Sequence, residues 1–286
     1  RDRDVTGVQT CALPIYLIGF TNCSNLDNLG DYLYKRRANN RETEFEEEDI
    51  EKRLCPKKVF PSCKSIIVVG ISYNVDYKKD TVYKLKGKIS KSSWGEDYHN
   101  VVKKKMNELI NEIKGEIEFK YVSFVDTGPL IERELAKKAG IGWYGKNCSI
   151  INDEYGSFIF IGYILTDLEI ENDEPLKGKC GNCEICLKAC PTGALESAYT
   201  FNPQKCISYL TQTKNKIPYE LRDKMGFSVY GCDICQMVCP KNKSPIVNRH
   251  VDFIPYKTDG YVDIREIINI SNSQFKEKYG SMAGSW

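Results

Sequence analysis

Histidine is nearly missing from this chain of 286 residues, which has only His99 and His250. That leaves no room for a histidine-rich mononuclear metal site, and at most one or two axial ligands. No window of 18 or more apolar residues occurs, so no membrane span is expected. The N-terminus has none of the basic end, apolar run and small-residue cleavage site of a secretory signal. The expectation is therefore a cytoplasmic protein. No GxGxxG run is present, so a Rossmann dinucleotide site is unsupported. Charge of one sign is also lacking: 41 Lys and Arg face 39 Asp and Glu, so net charge identifies no nucleic-acid partner and local runs must decide. The length allows one large domain or two modest ones, with the composition of an ordinary soluble globular protein.

Cysteine is what the chain has in excess. There are thirteen, and eight of them lie between Cys180 and Cys239. Nothing directs secretion, so a disulfide scaffold is disfavoured, and clustering of this kind in a reducing compartment points to metal ligation. Cys180, Cys183, Cys186 and Cys190 are spaced C-x2-C-x2-C-x3-C with Pro191 following, the run of bacterial ferredoxins, in which the fourth cysteine ligates the other cluster. A second, incomplete run comprises Cys232, Cys235 and Cys239 before Pro240. Its missing leading cysteine would fall at Val229, and Cys206 is the replacement from the connecting segment. The arithmetic then closes as two [4Fe–4S] clusters, one on Cys180, Cys183, Cys186 and Cys239, the other on Cys190, Cys206, Cys232 and Cys235. The competing reading is two structural zinc sites, which do not require the x3-Cys-Pro ending. Cys23, Cys55, Cys63 and Cys148 read as ordinary buried or surface thiols.

Upstream of the cysteines, strands and helices mix. Residues 1–15 have no clear period and are set aside as a foreign leader, an adapter scar. Residues 35–58 read as exposed helix and loop. Ser65–Tyr73 (SIIVVGISY) is a short β-branched run and predicts a buried strand. Asp76–Lys91 holds six lysines and reads as a mobile loop. Asp97–Ile113 places Val101, Val102, Met106, Leu109, Ile110 and Ile113 on one helix face. Ile117–Val125 alternates as a strand, followed by DTGP and a helix from Pro129 to a stop at Gly140. Cys148–Ile151 and Ser157–Leu165 predict two strands joined by a turn. The tail beyond residue 250 is mostly polar.

These segments resemble the epoxyqueuosine reductase family. The resemblance is carried by EDIEKR, SIIVVGISY, WGEDYH, VDTGPLIERELAKKAGIGWYGKN, GSFIFIGYILTDL, CGNCEICLKACPTGAL, KCISYLT, YGCDICQMVCPKN and SQFKEKYGSMAGSW, over roughly Leu17 to Trp286. DTGP, GWYGKN and CISYLT in this order are its most specific part. The chain departs from the family pattern in four places: an opening helix is displaced by the leader, the chain stops at Trp286, Lys241 stands for the usual Trp of the second CPWN, and Tyr163 for a usual Glu.

The resemblance implies an α+β fold: a nitroreductase-like cobalamin domain at 16–170, a ferredoxin-like double-cluster domain at 171–250, and the start of a truncated helical part at 251–286. It implies reduction of epoxyqueuosine to queuosine at the tRNA wobble position, with cobalamin and two [4Fe–4S] clusters as cofactors. The implied partners are a tRNA anticodon stem-loop and an electron donor such as a ferredoxin or flavodoxin; a monomer is expected. Asp126 matches the proton donor, since epoxide opening leaves an alkoxide that needs a nearby acid. Burial against a corrin face would raise its pKa and keep it protonated near neutral pH. Arg53, Ile150 and Ser208 match positions lining the cobalamin. Without the resemblance, Asp126 is a cap for the helix at Pro129, Arg53 a solvated helix charge and Ser208 a loop hydroxyl; of two readings for His99, contact with the corrin or local capping and packing, the second is expected. The lysines from Lys78 to Lys91, with Lys241, Lys243 and Arg249, read equally as phosphate contacts or solvated surface. Two other functions fit the cysteines: a corrinoid small-substrate reductase of the dehalogenase type, and a double-cluster electron carrier without organic cofactor.

Overall fold

The computed structural model describes residues 17–77, 85–247 and 250–283, with the backbone of residues 4–5 and 8–9. Most of the proposed leader, Lys78, Lys79, Lys84, Arg249 and Trp286 lie outside the described residues. In chain order the first part comprises β1 (Leu17–Asn22), α1 (Gly30–Ala38), α2 (Ile50–Leu54), β2 (Ser65–Ser72), β3 (Lys86–Ile89), α3 (Tyr98–Glu116), β4 (Tyr121–Val125), α4 (Glu132–Lys138), β5 (Trp143–Tyr144), β6 (Ile150–Ile151) and β7 (Ile159–Thr166). Beyond it come α5 (Ile185–Ala189), α6 (Ile207–Leu210), β8 (Ser228–Tyr230), α7 (Ile234–Met237), β9 (Tyr261–Asp263), α8 (Ile264–Asn269) and α9 (Asn272–Tyr279). Among the described residues no helix is long and apolar enough to cross a membrane.

The central sheet is antiparallel throughout, in the order β1-β2-β7-β4. All eight residues of β2 are buried, which explains its unbroken apolar run: helices cover both faces, so alternation with polar residues has no use. One face sends Ile67, Val69 and Ile71 against Val102, Met106, Leu109, Ile110 and Ile113 of α3. The other sends Ile66 and Val68 against Leu33, Ile50 and Leu54 of α1 and α2, and Leu135 and Ala136 of α4. Gly162 in β7 lets α3 approach, since a Cβ there would come within 2.5 Å of Met106 Sδ.

The amphipathic spacing of α3 predicts its buried residues correctly, all six of them. Other expectations need correction. The lysine-rich segment is not all loop: Lys86–Ile89 is the middle strand of a second sheet, parallel to β8 and antiparallel to β9. Its lysines point out while Gly87 and Ile89 point in, so the strand is a half-buried one whose inward face carries only two side positions. Nor is the tail a mere polar extension. Val262, Tyr279 and Met282 share a core with Ile89, and Phe253 enters the main core beside α3. The second sheet thereby stitches together three stretches of chain that the sequence suggests as separate domains. Cys23 and Cys63 are not free thiols but a disulfide, with Cα atoms 6.1 Å apart. The pairing of Asn22 with Ser65 at the sheet edge brings the two cysteines together inside one apolar cluster.

Leu109 is fully buried between α3 and the sheet. Leu109→Ala should cost about 2–5 kcal/mol of unfolding free energy, read as a lower denaturation midpoint at unchanged m-value. A loss below about 1 kcal/mol would contradict the tight packing assigned to this helix.

Candidate active site

The site is assembled where the N-terminus of α3 meets the loop after β4. Asp97 caps α3 by accepting the His99 N–H at 3.0 Å, and its Oδ1 also meets His99 Nδ1 at 2.7 Å. The ring of Tyr98 stacks on Phe160 of β7 at 4.2 Å and on His99 at 4.1 Å. Both side chains are thereby aimed at Asp126. Tyr98 donates its hydroxyl to Asp126 Oδ2 at 2.7 Å, and His99 Nε2 lies 3.4 Å from the same oxygen. Asp126 has a positive φ of 59°, and its side chain stays 59 % exposed. One flank of the carboxylate is held by protein and the other is open.

One reading of Asp126 fails. It does not cap the following helix, which starts at Glu132 with Ile131 as a cap lacking a side-chain bond. In the chain by itself its pKa is lowered: burial pushes it up, but the hydrogen bonds from His99 and Tyr98 and the charges of His99 and Arg133 pull it below the usual carboxylate range. His99 is raised in return, chiefly by its bond to Asp126. It is therefore more than the local cap or packing residue expected from its helix position.

Glu132 behaves in the opposite sense. Its Oε1 accepts the Asp126 N–H at 2.6 Å. Burial, and then the Asp126 charge, push its carboxyl up to about 8. Nothing in the sequence pattern singles it out, because its partner is a backbone group six positions upstream. Tyr98 and His99 had a faint signal: polar residues at the start of a strongly amphipathic helix.

Ser208 lies on α6, where its Oγ accepts from Gln212 Nε2 at 3.2 Å. Gln212 Oε1 in turn accepts the Tyr230 hydroxyl at 3.2 Å. Burial first, and then the charges of Asp126 and Asp97, push Tyr230 up to about 12. A polar wall thus runs from Ser208 to the field of Asp126. Arg53 is not a solvated charge: it is 8 % exposed. Its Nη1 sits 2.8 Å from Glu46 Oε2 yet outside hydrogen-bonding geometry, so this buried donor keeps unused capacity. The segment carrying Glu46 reaches α6 through Glu44, which accepts from the Tyr209 hydroxyl at 2.7 Å. Ile150 is buried and pairs with Tyr144 across β5 and β6, near the Cys148 carbonyl that accepts from Arg133 at 3.1 Å.

The eight clustered cysteines are free thiols, all partly exposed. Burial raises Cys186, and Cys239, Cys180 and Cys183 raise it further. Burial raises Cys235 to about 12, with Cys206, Cys232 and Cys190 as its strongest thiol neighbours. Neighbouring thiols raise one another unless positive charge is supplied, which is what the irons of a cluster provide; Cys190 departs from this, lowered against its burial by hydrogen bonds from the backbone around Leu195 and from Thr192. Among the described residues no three His, Cys, Asp or Glu side chains converge on one metal ion; a cubane, whose thiolates sit on separate irons, needs no such convergence. Asp233, between two of the cysteines, is buried and accepts from Ser90 Oγ at 2.6 Å and Lys91 N at 2.7 Å. Lys241 is engaged with Asp153 at 3.1 Å.

The raised carboxyl of Glu132 has a pH signature. It titrates near 4.5 when unfolded and near 8 when folded, so between those values the folded chain holds the extra proton and stability falls as pH rises. Glu132→Gln cannot ionise and should escape that loss. Its Tm relative to wild type should be higher at pH 8 than at pH 5, with the His99 contribution cancelling in the difference. An offset identical at both pH values would contradict the assignment.

The family model described as epoxyqueuosine reductase QueG, DUF1730, matches residues 53–127, and a 4Fe-4S double cluster binding domain matches residues 179–242. Epoxyqueuosine reductase of Bacillus cereus is 42 % identical over 275 residues, covering 94 % of this chain and 72 % of its own; that of Bacillus subtilis is 41 % identical over 273 residues, covering 94 % and 71 %. The crystal structure of an epoxyqueuosine reductase with an epoxyqueuosine-modified tRNA-Tyr stem loop superposes with a TM-score of 0.93 at 40 % identity, covering 96 % of this chain and 74 % of the other. A Bacillus subtilis structure, described as having its catalytic aspartate loop swung out of the active site, superposes with a TM-score of 0.89 at 39 % identity, covering 95 % and 73 %. With such identity along nearly its whole length, the chain belongs to the epoxyqueuosine reductase family.

Proposed function

We propose that this chain reduces epoxyqueuosine to queuosine at the tRNA wobble position, drawing electrons through two [4Fe–4S] clusters to a cobalamin held beside Asp126. As a member of its family the chain is an oxidoreductase of tRNA queuosine biosynthesis. The observation that carries the finer reading is the Asp126 carboxylate, gripped by Tyr98 and His99 on one flank and open on the other. A departing epoxide oxygen needs a proton at that open flank. In this reading Asp126 passes a proton to that oxygen, and His99, 3.4 Å away and backed by Asp97, resupplies it.

The residues suit a cobalamin. Asp126, Arg53 with its unused buried donor, Ile150 and Ser208 would hold it, within a nitroreductase-like domain at 16–170. Bound there, cobalamin would supply the strongly reducing centre that neither thiols nor carboxylates provide. The cluster domain is assigned to 171–250, with 251–286 as the start of a further helical part. Cys180, Cys183, Cys186 and Cys239 take one cluster; Cys190, Cys206, Cys232 and Cys235 take the other. The thiol neighbourhoods support this partition. A small one-electron protein, a ferredoxin or flavodoxin, is the donor to a monomeric enzyme. Of the basic side chains proposed for the tRNA backbone, Lys243 suits phosphate better than Lys241, whose charge Asp153 already answers.

Two experiments test this reading. Anaerobically reconstituted protein should carry about eight irons, and Cys206→Ala about four; an unchanged iron count removes Cys206 as the fourth ligand. Asp126→Asn should keep its clusters and bound cobalamin but lose turnover by about 10²–10⁴-fold, the usual contribution of general acid catalysis. Near wild-type turnover by that variant on epoxyqueuosine tRNA would return Asp126 to a structural role.

A further inference from the structure

The loop bearing Asp126 is held in an unusual shape by two side chains that the chemistry itself does not require. A positive φ of 59° is uncommon for a residue with a Cβ, so the conformation needs outside support. Two of the loop's backbone N–H groups receive it from side chains. Asp126 N–H goes to Glu132 Oε1 at 2.6 Å, and Leu130 N–H to the Tyr163 hydroxyl at 3.2 Å. Both acceptors stand on rigid elements. Glu132 opens α4, whose Leu135 and Ala136 are fully buried. Tyr163 is fully buried in β7, opposite Phe124 of β4. Gly128 lies so close that a Cβ there would collide with the Tyr163 hydroxyl.

We propose that Glu132 and Tyr163 form a two-point latch that keeps the Asp126 loop in its working position, Glu132 acting as a positioning residue rather than as an acid. This rests on the reading of Asp126 as proton donor. The related Bacillus subtilis structure with its catalytic aspartate loop swung out is one in which such a loop occupies a second position. The carboxyl of Glu132 presents an acceptor oxygen to the Asp126 N–H whether or not it is protonated, so glutamine is a faithful substitute and alanine is not. Tyr163 stands where the resemblance places a glutamate, and here its hydroxyl supplies the second acceptor.

The test compares Glu132→Ala, Glu132→Gln and Tyr163→Phe in the reconstituted chain, by amide hydrogen exchange over residues 126–130 and by turnover on epoxyqueuosine tRNA. Glu132→Ala should speed exchange in this loop by at least about tenfold and lower kcat by a similar factor, with KM and iron content little changed. Glu132→Gln should recover most of both losses. Tyr163→Phe, which removes one oxygen from a fully buried ring, should speed exchange at Leu130 and lower kcat by a few-fold; it serves alone if Glu132→Ala fails to fold. Wild-type exchange in Glu132→Ala or Tyr163→Phe overturns the latch. So does a Glu132→Gln variant as slow as Glu132→Ala, which would make the carboxyl an acid. If instead Asp126→Asn retains full turnover, the proton-donor reading fails while the exchange measurements still judge the latch.

Discussion

The parallel pairing of Ser228–Tyr230 with Lys86–Ile89, locked by the buried Asp233 carboxylate, is the joint on which the rest of the molecule depends. Asp233 lies between Cys232 and Cys235 and accepts from Ser90 and Lys91. Ser90 N–H returns to the Tyr230 carbonyl at 2.8 Å. A few residues further on, the same stretch becomes the Asp97 cap of α3 and delivers Tyr98 and His99 to Asp126. The cysteine segment is therefore fastened directly to the segment that builds the acid site. Ser157 adds a second fastening, through Gln236 at 2.9 Å and Asn242 at 2.8 Å. The segment matched by the double-cluster domain is thereby held against the segment that carries Tyr98 and His99.

Around Asp126 the charges are arranged in opposition. His99 and Tyr98 stabilise its carboxylate, while the same negative charge helps to keep Glu132 protonated. Two carboxyls a few residues apart are thereby shifted in opposite directions, the kind of separation by which one fold can host distinct acid and base roles.

Much of this was legible in the sequence. The β-branched run predicts a strand buried on both faces because Ser65–Ser72 has helices above and below. The spacing of α3 reports its buried stripe because one helix face meets one sheet face. The cysteine spacing is specific because cluster geometry demands it. What was hidden depends on contacts between distant or backbone groups. Lys86–Ile89 looks like a loop because three of the lysines stay at its solvent edge or just beyond it, and its only inward residues are Gly87 and Ile89. Cys23 and Cys63 are 40 residues apart and meet only through strand register. The meeting of His99 with Asp126 needs α3 and β4 to be packed, and the bond from Asp126 N–H to Glu132 leaves no pattern at all. The lowered pKa of Asp126 is equally hidden, because the bonds from His99 and Tyr98 that outweigh burial come from a separate helix.

The most direct test of the central claim is a product assay on defined cofactor content. Epoxyqueuosine-bearing tRNA is incubated anaerobically with chain holding both clusters, with and without cobalamin, and a one-electron reductant; the tRNA is then digested and its nucleosides are weighed by mass spectrometry. The account predicts a nucleoside lighter by one oxygen only when clusters and cobalamin are both present. Conversion that proceeds equally without cobalamin, or no conversion with both cofactors verified as bound, would contradict it.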